Sequence, residues 1–114
     1  MITVSYFASK APSDRKICIA KGRPRYFKGL SFRDFAPLNP HDLNDWQNRY
    51  RRELEARYPD ALSLQAALGR IEDRVPNPIL CCYEKDPAEC HRTILAQFIQ
   101  ERLGLEVPEW APGM

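Results

Sequence analysis

Apolar and polar positions alternate with two different periods along this chain. Ile2-Thr3-Val4-Ser5-Tyr6 has the two-residue period of a strand. Lys16-Ile17-Cys18-Ile19-Ala20 is a second short strand. Ile79 to Tyr83, a continuous apolar run of strand length, reads as a strand buried on both faces. Between them the period lengthens. Leu43, Trp46, Tyr50 and Leu54 fall at helical spacing, and so do Leu64, Leu68 and Ile71, which predicts a helix over about residues 63–72. Asn39-Pro40 with Asp42 has the make-up of a helix start, and Tyr58-Pro59 supplies the stop. A last helix is expected to open at Asp86, with Pro87 first and Glu89 third as in a capping box, and to close at Leu103-Gly104. The tail from Val107 to Pro112 reads as extended. Strands interleaved with helices predict one small α/β domain over residues 1–114. Its short, mainly parallel sheet would be flanked by helices in flavodoxin- or Rossmann-like layering.

The last strand and last helix bracket the densest chemistry in the chain. Cys82 and Glu84 leave the strand, and Cys90-His91-Arg92 follow six residues on. In open α/β folds ligands sit at the carboxyl ends of strands, where such a loop lies. With the helix running from Pro87, a step of about 100° per residue puts His91 in the middle of the apolar arc, with Cys90 and Arg92 at its edges. Arg92 would then grip a phosphate or carboxylate through two parallel bonds. Glu84 and His91 would move any proton, and Cys90 or Cys82 would serve as thiol. A purely structural latch, with His91 facing inward to tie helix to sheet, would use the same geometry.

Two further chemistries are weakened by spacing. The Cys-(x)₅-Arg loop of thiol phosphatases is absent, since Pro87 and Ala88 stand where its Arg would fall, and there is no Cys-x-x-Cys. Cys82, Cys90 and His91 are suitable zinc ligands, with Cys18 or Glu84 as a fourth. On a regular helix, however, neighbouring Cys90 and His91 diverge by about 100°. No metal and no cofactor are therefore expected. Zinc binding or a thiol-dependent enzyme stays as an alternative.

Charge adds a second candidate region. The net charge is only +2, yet the first 28 residues carry seven basic side chains against Asp14 alone. Lys21, Arg23 and Arg25 share one Gly/Pro-bearing loop after the second strand, and are candidate ligand-binding residues for a small anion or a nucleic-acid end. With Tyr26 and Phe27 beside them, a nucleic-acid or protein binding module is the competing class. No run of 18 apolar residues exists, so no membrane partner is expected. The opening residues lack a basic leader and a long apolar stretch, so they are not expected to be a signal peptide. Adjacent Cys81 and Cys82 would point to opposite faces of a strand, and no disulfide framework is expected from the four cysteines.

The block Leu80-Cys81-Cys82-Tyr83-Glu84, Lys85-Asp86-Pro87 and Cys90-His91-Arg92 resembles the family called domain of unknown function 488. More loosely, so do Ile19-Ala20-Lys21-Gly22-Arg23-Pro24 and Phe35-Ala36-Pro37-Leu38. The resemblance implies an α/β fold and a cytoplasmic setting, and places the family motif on Cys82, Glu84, Cys90, His91 and Arg92. Longer members carry a helix between the first two strands where this chain has only a loop. The resemblance brings no reaction with it, and whether the protein is an enzyme stays open.

Overall fold

The computed structural model describes residues 1–38 and 44–114. Three parallel strands form its sheet: β1 (Thr3–Tyr6), β2 (Lys16–Cys18) and β3 (Ile79–Cys82), in the order β1-β3-β2. Leu80 pairs with Val4 on one side and with Ile17 on the other, so β3 is the central strand. All four of its residues are buried, as its continuous apolar character requires. Both outer strands are covered. The tail pairs with β1 through Val4 N–H to Pro108 O (3.0 Å) and Trp110 N–H to Val4 O (2.8 Å). The segment around Ser31 pairs with β2 through Cys18 N–H to Leu30 O and Phe32 N–H to Cys18 O, each 2.8 Å.

Three helices follow the expected order: α1 (Trp46–Arg57), α2 (Ala61–Arg74) and α3 (His91–Leu103). The predicted start at Asn39-Pro40, with Asp42 and Leu43, lies outside the described residues. Tyr50 and Leu54 of α1 are buried, and α1 ends at Arg57, next to the predicted stop. Asp60 caps α2, its carboxylate accepting the Ser63 N–H at 2.8 Å. Gly104 ends α3 at φ 65°, a left-handed conformation that costs glycine little.

The layering is one-sided. Leu64, Ala67, Leu68 and Ile71 of α2, and Leu95, Phe98 and Ile99 of α3, join Tyr50 and Leu54 against Val4, Ile17, Leu80 and Cys82. The opposite face, with Cys18, Ile79 and Cys81, is covered by Phe7, Ala11, Ala20, Phe27 and Trp110 from loops and tail. The β1–β2 connection has room only for a 3-10 turn at Ser13–Arg15, so no helix is available for that side. Lys16 reinforces this covering from within, donating its buried ammonium to the carbonyls of Phe7 (2.7 Å) and Ser9 (2.8 Å).

Candidate functional site at the carboxyl end of the sheet

The chain after Cys82 differs from the predicted helix start, and the difference shapes the site. Asp86 does act as a cap, accepting the Ala88 N–H at 3.0 Å, but it caps a single 3-10 turn, Pro87–Glu89. Cys90 then takes an extended conformation (φ −121°, ψ 140°), and α3 begins at His91. Freed from the helix, Cys90 turns toward the end of β3 and is disulfide-bonded to Cys82, with a Cα–Cα distance of 6.8 Å. This corrects the expectation that no disulfide forms. Cys81 and Cys82 do face opposite ways, so the partner comes from across the loop. Cys81 lies in the other core with Cys18, and burial pushes its thiol from an ordinary 9.0 up to about 12.

His91 points inward as expected and is 3% exposed. Its Nε2 lies 2.7 Å from the carbonyl oxygen of Ile19, and its ring meets Tyr50 edge-on at 5.2 Å between centroids. A carbonyl only accepts, so Nε2 carries the ring proton. The Tyr50 hydroxyl donates to Phe35 O at 2.6 Å, and burial holds its pKa well above the usual value.

Arg92 departs from its expected role. It is fully buried, and its guanidinium is occupied by the protein itself. Nε and Nη2 donate in parallel to the Glu109 carboxylate at 2.9 and 3.0 Å. Nη2 also donates to Lys85 O at 3.0 Å, while Nη1 donates to Glu84 O and to Cys82 Sγ, the latter at 3.4 Å. The two-pronged grip predicted for a ligand is thus made with the tail. What Arg92 meets at Glu84 is the backbone carbonyl.

The basic loop reaches the same end of the sheet. Tyr83 donates its hydroxyl to Gly22 O at 2.8 Å, which ties the exit of β3 to the exit of β2. Beside this contact a cleft of about 370 Å³ is lined by Lys21, Arg23, Arg33 and Ser31, with Gly22, Gly29 and Leu30. Arg23 is held by Gly29 O at 3.0 Å. Gly29 permits the close approach of this loop to β2: a Cβ there would meet Lys16 O at 2.9 Å and the Phe27 ring at 2.7 Å. Lys21 and Arg23 therefore share one cleft, whereas Arg25 is exposed on the loop and does not line it. Arg33 and Glu109 were not legible as site residues. Each arrives from a segment whose position depends on covering a sheet edge, and neither segment carries a periodic signal.

A family model described as the active DUF488-N3 subclade matches residues 30–103. The chain belongs to the DUF488 family. The matched residues span Arg33 and the whole Cys82-to-Arg92 motif, while Lys21 and Arg23 precede them. No curated protein and no solved structure matches the chain. Among the described residues no helix is long and apolar enough to cross a membrane.

Proposed function

We propose that this DUF488 protein binds a small phosphate-like anion in the cleft formed by Lys21, Arg23 and Arg33. The lining of that cleft carries the reading: three cations and the Ser31 hydroxyl, with no carboxylate among the lining residues. Its volume suits a small ligand. The motif near it would supply the reactive groups, His91 and Glu84 for proton transfer and, once their disulfide is reduced, Cys82 and Cys90 as thiols. The matching subclade is described as active, which supports chemistry within residues 30–103. Arg92 braces the loop and tail, and the anion is gripped by the exposed basic side chains. A nucleic-acid end presents the same phosphate chemistry, and the exposed Arg25 and Tyr26, next along the loop, would meet the next nucleotide.

Calorimetric titration with inorganic phosphate, a mononucleotide and a short single-stranded oligonucleotide tests this reading. A Lys21→Ala/Arg23→Ala/Arg33→Ala variant should weaken binding at least tenfold, whereas Arg25→Ala should weaken only the oligonucleotide. A nucleic-acid ligand would also give a log–log salt slope near −0.7 per phosphate contacted. Equal binding by wild type and triple variant would end the proposal. The second reading, a structural latch at Cys90-His91-Arg92, is favoured by the full occupancy of the Arg92 guanidinium. It predicts that Arg92→Ala loses stability without loss of anion affinity.

A further inference from the structure

We propose that Cys82, Cys90 and His91 hold a zinc ion once the two thiols are free. On a helix, neighbouring residues would point about 100° apart and could not share an ion. Cys90 stands outside the helix in extended backbone, and that removes the obstacle. The donor atoms of Cys82, Cys90 and His91 lie within 4.8 Å of one another, and all three residues are buried. Zinc–sulfur bonds of about 2.3 Å and a zinc–nitrogen bond of about 2.0 Å fit such a triangle after small side-chain rotations.

Two surrounding contacts suit a metal site. The Ile19 carbonyl fixes the proton on Nε2 of His91, leaving the Nδ1 lone pair as the ring's donor. A backbone carbonyl that sets the tautomer in this way is the usual outer partner of a zinc-bound imidazole. Arg92 places a cationic N–H 3.4 Å from Cys82 Sγ, which favours the thiolate that a metal requires. The Cα atoms of Cys82 and Cys90 stand 6.8 Å apart, the long limit for a disulfide.

Opening the disulfide takes two electrons. A phosphine reductant supplies them and leaves as the phosphine oxide, with its oxygen and the two thiol protons coming from water. Zinc then displaces both thiol protons, forming two Zn–S bonds and one Zn–N bond. Three protein ligands leave a fourth position for water or a substrate atom, as in catalytic zinc centres. Ile19, which orients His91, stands two residues before Lys21 of the basic cleft. The ion would be held whether or not that cleft takes an anion.

The test uses phosphine-reduced, metal-stripped protein titrated with cobalt(II), then zinc. One cobalt per chain is expected, with thiolate-to-cobalt charge transfer in the near ultraviolet and intense visible bands of tetrahedral cobalt, all bleached by zinc. Disulfide-form protein should show none of these signals. Cys82→Ser and Cys90→Ser should abolish the charge-transfer band or lower zinc affinity beyond the roughly 10–100-fold cost of losing an outer partner. Cys81→Ser, on the opposite face, should keep wild-type spectra. Reduced wild-type protein that folds by circular dichroism but develops no cobalt–thiolate band would overturn the proposal, independently of any variant. Retention of the full spectrum by Cys90→Ser would do the same.

Discussion

Removing the Arg92 side chain would strand the Glu84 and Lys85 carbonyls, the Cys82 sulfur and the Glu109 carboxylate together. Glu109 is 42% exposed and can turn to water, but the Cys82 sulfur beside Nη1 is buried. Arg92→Ala should therefore cost on the order of 3 kcal/mol, and Glu109→Ala about 1 kcal/mol, because the remaining bonds survive. Denaturant titration of both variants and the double variant measures the difference. Equal losses would show that the ion pair alone holds the guanidinium. The inward direction of His91 was legible because apolar spacing along α3 fixes the helix phase. The partner of Arg92 was not, since nothing near position 92 in sequence indicates that position 109 returns to it. Cys90 shows the other limit. A cap, a proline and a glutamate in order describe a 3-10 turn as well as a helix, and only the turn lets Cys90 reach Cys82.

The strands were read from apolar alternation and the length of apolar runs, and all three occur within two residues of the predicted bounds at either end. Short apolar runs punctuated by proline leave few other registers. The helices have clearer ends where one side chain satisfies a free backbone group. At α2 the Asp60 carboxylate takes the Ser63 N–H, and the Ser63 hydroxyl returns a bond to Asp60 O at 2.9 Å. Asp60→Ala should lower the melting temperature while Asp60→Asn largely preserves it, as read by thermal melting. No loss in the alanine variant would mean that packing of Leu64 and Leu68 alone sets the start of α2. One-sided placement of the helices was only partly legible: the shortness of the β1–β2 link excludes a helix there, but not which loops take over. Those loops carry the basic cleft, so the irregular face, the hardest to read from sequence, is also the one proposed to bind.

As a whole the molecule should weaken in alkali. Burial raises Cys81 from 9.0 and Tyr58 from 10.0, each to about 12, and holds Tyr50 well above its ordinary value. Each group holds its proton more tightly folded than unfolded. Their contribution is complete below about 9 and is lost as pH rises toward about 12. Denaturation midpoints should stay level through neutral pH and fall above pH 9, and Tyr58→Phe should flatten part of that fall. An unchanged slope in this variant would assign the alkaline loss elsewhere. The strand order has a consequence for how the chain assembles. β1 and β2 do not touch; each finds its sheet neighbour in β3, which begins at Ile79. During synthesis neither can enter the sheet until most of the chain has been made, and β1 then waits for Pro108 to Trp110 to cover its outer side. Closing these long loops is entropically costly and slow. Until then α1 and α2 also lack α3, the helix on which both pack, so the nascent protein is most exposed to misassociation just before β3 and α3 emerge.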